Sequence, residues 1–283
     1  MYTLNCKGQL LVMDRPLVMG IINTTPDSFY VKSRKQKEDD ILAIATQMMN
    51  EGADILDIGG QSTRPGSQRI SPLEEMERTV PAIEHIIKAF PQAIISIDTY
   101  SSEVADAAVK SGASIVNDIS SGEMDTAMLN TVAQSGVPYI CMHMKGTPDN
   151  MQSQAQYTNV VTEVLDYLVK KVNECKLAGI NDIIVDPGFG FGKTIEHNFS
   201  LLKSLPVFSI IGCPILAGLS RKSTIYKTLG ITADEALNGT TVLNTMALMN
   251  GAQILRVHDV KAAKEAVRLF TAYQTSYKIK STQ

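Results

Sequence analysis

Short aliphatic runs alternate along this chain with longer stretches of helical period. The runs at 16–22, 54–58, 94–97, 114–116, 137–142, 182–185, 214–217 and 254–257 are mostly continuous in apolar character rather than alternating. That is the pattern of parallel strands covered on both faces. Between them, apolar residues recur three and four apart, as in Ile41, Leu42, Ala45, Met48 and Met49, in Val160, Val161, Val164, Leu165, Leu168 and Val172, and in Ala262, Ala263, Ala266, Val267 and Phe270. Such a stripe marks a helix face turned toward a core. Helices also fit 72–89, 103–111, 124–134, 195–203 and 234–249.

Gly52, Gly112, Gly136, Gly179 and Gly251 each follow a helical stretch and precede the next strand by a few residues. Glycine readily takes the left-handed conformation that closes a helix. Eight strand–helix units in this rhythm predict an α/β fold, a closed (β/α)8 TIM barrel rather than an open doubly wound sheet. No linker, charge block or low-complexity stretch divides the chain, so 1–283 reads as a single barrel domain. Residues 1–14 fit a short hairpin or an extension over the barrel floor, and the sequence leaves the two open.

Composition narrows the class. With 44% hydrophobic and 19% charged residues, the chain can bury a large core and is not of the disordered type. A net charge of −3 gives no reason to expect nucleic acid or an anionic membrane as partner. Cys6, Cys141, Cys175 and Cys213 form no Cys-x-x-Cys pair, so neither a disulfide framework nor a structural zinc site is expected, and a reducing cytoplasm fits. The polar opening from Met1 to Lys7 does not read as a signal peptide, and no apolar run is long enough to span a bilayer.

The chemistry lies where the strands end, because a barrel of this class carries its active site at the C-terminal ends of its strands. There the chain presents Asn23, then Asp57-Ile58-Gly59-Gly60, Asp98, Asn117-Asp118, His143, Asp186, Gly218-Leu219-Ser220-Arg221-Lys222 and Arg256-Val257-His258-Asp259. A single Asp or Asn at such a place is as well explained by capping of the next helix. A full ring is not, and Lys222, Arg256 and His258 would oppose the dipole of a following helix. The cations predict an anionic group such as a phosphate. Asp98, Asn117 and Asp186 predict a heterocycle rich in N–H donors, without which those carboxylates would be costly to bury.

These residues stand in motifs that resemble one family. Met19-Gly20-Ile21-Ile22-Asn23-Thr24-Thr25-Pro26-Asp27-Ser28-Phe29 and Asp57-Ile58-Gly59-Gly60-Gln61-Ser62-Thr63-Arg64-Pro65-Gly66 are similar to the first two signatures of dihydropteroate synthases. Ser96-Ile97-Asp98-Thr99, Val116-Asn117-Asp118, Met142-His143, Asp186-Pro187-Gly188-Phe189-Gly190-Phe191-Gly192-Lys193, Ser220-Arg221-Lys222-Ser223 and Arg256-Val257-His258-Asp259-Val260 follow in family order. The resemblance implies an enzyme that joins a dihydropterin pyrophosphate to 4-aminobenzoate. It assigns the pterin to Asp98, Asn117, Met142, Asp186, Gly218, Lys222 and Arg256. The pyrophosphate would meet Asn23, Thr63, Arg256 and His258, with Mg2+ as cofactor held through Asn23. Thr63, Arg64, Pro65, Phe189 and Ser223 would surround 4-aminobenzoate, and Asp98, Lys222, Arg256 and His258 would carry the catalysis. It also implies a homodimer, consistent with apolar Val242, Leu243, Met246, Leu248, Leu269, Tyr273 and Tyr277 beyond one face of the last two helices.

One stretch departs from the family. Phe29-Tyr30-Val31-Lys32-Ser33-Arg34-Lys35-Gln36-Lys37 replaces a glycine-containing segment with several cations, and reads as a solvated loop face. Gly192-Lys193-Thr194 is not a Walker loop, since Pro187 stands where the pattern needs its first glycine. Gly188, Gly190 and Gly192 read instead as a flexible loop allowing close ligand approach. His85 and His197 are expected on helix surfaces, Met48-Met49 and Met246/Met249 in the core, and Cys141 as a buried strand residue without a catalytic role. Two rival readings remain, a methyltetrahydrofolate-dependent methyltransferase barrel and a non-catalytic pterin-binding homologue.

Overall fold

The computed structural model describes residues 1–24, 34–62, 67 and 69–276. A hairpin of β1 (Tyr2–Cys6) and β2 (Gln9–Met13) comes first. The chain then runs β3 (Leu17–Asn23), α1 (Arg34–Glu51), β4 (Ile55–Gly59), α2 (Pro72–Ala89), β5 (Ile95–Asp98), α3 (Ser102–Ser111), β6 (Ile115–Asp118) and α4 (Met128–Ser135). It continues through β7 (Tyr139–Met142), α5 (Val160–Ala178), β8 (Ile183–Asp186), α6 (Ile195–Lys203), β9 (Leu216–Ala217), α7 (Ser223–Leu229), α8 (Leu237–Met249), β10 (Ile254–Val257) and α9 (Val260–Thr275).

Strands β3 to β10 form one parallel sheet in the order β8-β7-β6-β5-β4-β3-β10-β9. The chain's first barrel strand pairs with its last, Leu17 beside Ile254, and a parallel bridge between Val185 and Ile215 brings β8 to the β9 segment. The sheet is thereby closed into the expected barrel. Side chains alternate in and out along each strand. Val18, Ile22, Leu56, Ile58, Ile95, Ile97, Val116, Cys141, Val185, Leu255 and Val257 point outward and pack under the helices. Leu17, Met19, Ile55, Ile94, Ile115, Ile140, Ile184, Leu216 and Ile254 fill the barrel interior.

The hairpin closes the barrel floor. Leu4, Cys6 and Met13 belong to the same buried cluster as the interior strand residues, while Leu10 and Val12 face away from it. The Asn5 N–H donates to Asp182, the Lys7 ammonium to the Val109 carbonyl, and the Gln9 amide to the Gln92 carbonyl. The hairpin reading of residues 1–14 therefore holds.

Most element positions fall close to the expected ones, and the glycines at 52, 112, 136, 179 and 251 all have positive φ. Several details differ. Arg34–Lys37 opens α1 rather than extending a loop, although residues 25–33, where the rest of the departing segment lies, are outside the described residues. Between β9 and β10 the chain makes two helices, because Gly230 ends α7 in the left-handed conformation before α8 begins. A 3-10 turn, Leu205–Ile211, also precedes β9. His85 and His197 are half-buried, and His197 takes part in a capping box with Thr194 at the start of α6. Met246 and Met249 are about half exposed instead of packed in the core. Leu243 and Leu248, conversely, are buried against the barrel and offer nothing to a partner.

Because the hairpin is held mainly by apolar burial, Leu4→Ala should lower the unfolding free energy by about 2–4 kcal/mol in urea denaturation. Leu10→Ala, on the outer face of the same hairpin, should stay within about 0.5 kcal/mol of wild type.

Candidate active site

Inward alternation places the chemistry. Two residues beyond an apolar interior position, the next inward side chain stands at the barrel mouth, and there it is polar: Ile55 leads to Asp57, Ile115 to Asn117, Ile184 to Asp186 and Ile254 to Arg256. Strand register aligns them. Asn23 lies beside Gly59, Gly59 beside Asp98, and Asp98 beside Asn117, one row across β3, β4, β5 and β6. Met142 lies beside Asp186 on β7 and β8. The expected pterin residues on these strands are thus brought to one mouth.

Asp57 is the centre of this set. It is completely buried, and the Arg256 guanidinium donates to it from β10 at 2.6 Å. The Asn117 amide donates to it from β6 at 3.2 Å. Arg256 also donates to Asp98. Burial lowers the tendency of Arg256 to stay charged, but Asp57, Asp98 and Asp186 outweigh it and raise its pKa further. Strand-end reading alone gives Asp57 no separate role; its inward parity, two after Ile55, is the signal that singles it out.

Three carboxylates thus face the mouth, against Arg256 and Lys222. Burial pushes the Asp98 carboxyl up to about 7, against the pull of Arg256 and with the repulsion of Asp57 added. Burial also raises Asp186, which Lys222 and the Gly188 N–H oppose. Lys222 is pushed down to about 8 by burial, with Arg256 adding to that and Asp186 resisting. Gly218 lacks a side chain where Lys222 and Asp186 approach, and a Cβ there would lie 3.5 Å from the Lys222 Nζ. The Lys222 ammonium donates to the Phe189 carbonyl at 2.6 Å and sits 4.7 Å from the centre of the Phe191 ring.

The rim cations part company here. Arg221 is turned away into a two-bonded pair with Asp259, at 2.8 and 2.9 Å. His258 stands exposed on the rim, with its Nδ1 3.1 Å from the Ser220 hydroxyl, which also accepts from the His258 N–H. Ser223 follows Lys222 as the first residue of α7. Thr63, Arg64 and Pro65 lie outside the described residues.

Three expectations are corrected. The Phe189 ring is fully buried in the main core, so this residue offers the site its carbonyl, and the ring beside Lys222 belongs to Phe191. Asp118 points outward and is consumed by the loop after β6, accepting from the Ser120 and Gly122 N–H groups and the Tyr139 hydroxyl. Gly188 and Gly192 do not open the loop to ligand. A Cβ on Gly188 would fall 1.9 Å from the His143 carbonyl oxygen, and one on Gly192 would fall 2.5 Å from that of Lys145. Backbone fills the space instead.

Asn23 carries an exposed amide at the rim, and a Cβ on Gly59 would be 4.0 Å from its Oδ1. Among the described residues no cluster of three or more His, Cys, Asp or Glu could hold a metal. No helix among them is long and apolar enough to cross a membrane. Cys6, Cys141, Cys175 and Cys213 are free and buried.

Residues 19–258 match the model of a family described as pterin binding enzyme. The dihydropteroate synthase of Escherichia coli strain K12 is 42% identical over 268 residues, which cover 94% of each chain. Two solved structures of the Xanthomonas albilineans dihydropteroate synthase superimpose closely. The one with 4-aminobenzoic acid has a TM-score of 0.89 at 39% identity, covering 96% of this chain and 98% of the other. The one with 7,8-dihydropteroate has a TM-score of 0.87 at 37% identity, covering 97% and 99%. On the match over residues 19–258 and the 42% identity across nearly the whole chain, this chain belongs to the dihydropteroate synthase family of pterin-binding barrels.

Proposed function

We propose that this enzyme condenses 6-hydroxymethyl-7,8-dihydropterin pyrophosphate with 4-aminobenzoate, forming 7,8-dihydropteroate and pyrophosphate. The observation that carries the assignment of roles is the convergence of Asp98, Asn117, Asp186 and Lys222 in one barrel mouth. Asp98 and Asp186 accept from the N–H edge of the pterin, Asn117 reads a neighbouring polar atom, and Met142 lines the ring. Arg256 neutralises the carboxylates from below and reaches toward the diphosphate, which His258 meets at the rim with its ring oriented by Ser220. Phe191 offers a ring face to 4-aminobenzoate next to Lys222 and Ser223.

The bond that breaks joins the pterin methylene to the diphosphate oxygen, which leaves with the electron pair. The developing positive charge on the methylene lies near Asp98, and the neutral aromatic amine supplies the pair for the new C–N bond, losing a proton afterward. No covalent protein nucleophile is required, in keeping with the buried state of Cys141. A Mg2+ ion suits this site if Asn23 gives it one oxygen and the diphosphate and water give the rest, since Mg2+ is commonly bound through few protein ligands plus substrate phosphates. When bound, it would spread the charge of the leaving group. A methyl-transfer barrel would leave Arg256 and His258 without a diphosphate to hold, and this reading is therefore not favoured.

The first test is pyrophosphate release with Mg2+, with and without 4-aminobenzoate. Amine-dependent release is expected, and Lys222→Ala should lower kcat/KM by roughly 10²–10³-fold. Tight pterin binding with no product would instead favour the non-catalytic homologue.

The raised Asp98 sets a pH dependence. Its carboxyl holds a proton below about 7, and the pterin N–H groups need the anion, so binding should release a proton near neutral pH. Calorimetric enthalpies measured about one unit below that midpoint, near pH 6, should then vary with the ionisation enthalpy of the buffer. Affinity should rise with pH and level off above about 7. An enthalpy independent of buffer would remove Asp98 from this role.

Val242, Met246, Leu269 and Tyr273 are exposed on α8 and α9 and form the surface for a homodimer, while Tyr277 lies outside the described residues. Sedimentation at micromolar concentration should show a dimer that Met246→Glu with Leu269→Glu converts to monomer, whereas a monomeric wild type would exclude it. Residence in the cytoplasm fits the four free thiols.

A further inference from the structure

Lys193 is buried to 3% exposure, yet the proposed chemistry makes no use of it. Its ammonium donates to the carbonyls of Gly188 at 2.9 Å, Phe191 at 3.0 Å and His143 at 3.2 Å. The Nδ1 of His143 lies 2.9 Å away. Burial holds that imidazole neutral, pushing its pKa down to about 2, and the ring in its Nε2–H tautomer accepts from Lys193 through Nδ1. Burial likewise pulls the Lys193 pKa well down, and Lys222 adds to this while Asp186 opposes it. A buried lysine satisfied by carbonyls is costly, and what it gains is the fixed position of the groups it holds.

Those groups belong to the loop between β8 and α6. Phe189 gives its carbonyl to Lys222 at 2.6 Å, and the Phe191 ring lies 4.7 Å from the same ammonium. Gly190, between them, would bring a Cβ within 3.3 Å of the Lys222 stem. On its other side the loop rests on the segment after β7. The Gln152 amide donates to the Gly190 carbonyl at 3.2 Å and the Tyr157 hydroxyl to that of Gly192 at 2.9 Å. Both ties come from partly exposed surroundings, whereas Lys193 sits at the centre of the contact.

We propose that Lys193 is a positioning residue for the reaction: by pinning Gly188 and Phe191 to His143, it fixes the carbonyl and the ring that locate the Lys222 ammonium. This rests on the synthase reading of the site. It also divides the labour of the mouth. Asp98 and Asn117 are held by Arg256 and Asp57 on the far strands, so the Lys193 pin acts on the side where the amine enters.

The test compares wild type with Lys193→Met. The expected result is a fall of about 100-fold in kcat/KM for 4-aminobenzoate, the scale on which small misplacements of a catalytic group act. Affinity for the dihydropterin pyrophosphate, measured by calorimetry without amine, should fall by a much smaller factor, because Asp98 and Asn117 keep their own partners while only the Lys222 and Asp186 side is loosened. Equal loss for both substrates, or no loss for either, overturns the proposal. If Lys193→Met does not fold, Gln152→Ala combined with Tyr157→Phe takes its place by cutting the outer ties. A loss confined to 4-aminobenzoate then supports the pinned loop, and unchanged kinetics overturn it. An inactive wild type would count against the synthase reading itself.

Discussion

Asp57 sits on an inward position of a barrel strand with no access to solvent, where an unpaired carboxylate would be costly to bury. Arg256 reaches it from β10 and Asn117 from β6, so one carboxylate ties three strands together above the apolar interior. Everything at the mouth inherits a charge balance from that arrangement. Arg256 divides itself between Asp57 and Asp98, Lys222 answers Asp186, and the cations fall one short of the carboxylates. The shortage falls on Asp98, whose carboxyl burial pushes up to about 7. A heterocycle with N–H donors would offer the missing compensation, and on the proposed reading recognition follows from a deficit that the fold maintains.

Much of this was legible in the sequence because the barrel imposes two simple rules. Continuous apolar runs mark strands covered on both faces, and the C-terminal ends of those strands carry the chemistry. Asp98, Asn117, Asp186, Lys222 and Arg256 could be found that way. Asp57 was harder, since it precedes the end of its strand by two residues and only parity shows that it faces inward. Phe189 and Phe191 were not separable at all. They share a loop, where no strand period applies, and the choice of which ring enters the core is made by tertiary packing. Leu243 and Met246 illustrate the same limit on α8, a helix apolar on more than one side, whose buried face depends on where α9 and the barrel lie.

The glycines after β8 show how a correct sequence feature can carry a different meaning. Glycine permits close approach, but the sequence does not say of what. In the structure it is the backbone at His143 and Lys145 that comes close, and the two loops lock together. The segment that holds Lys222 is therefore packed against its neighbour where a flexible loop allowing close ligand approach was expected. Such packing suits the positioning role proposed for it.

Closure of the barrel joins Leu17 to Ile254, and the floor hairpin reaches across to Asp182. Residues of β3 and of the hairpin must therefore wait for partners that lie far later in the sequence. Until then the inward faces of β3, β4 and β5 have no opposite wall and the hairpin has no floor to seal. Contacts so distant in the chain form slowly, and half-made barrels expose apolar strand edges meanwhile. The folding chain is thus most exposed until β10 has paired with β3.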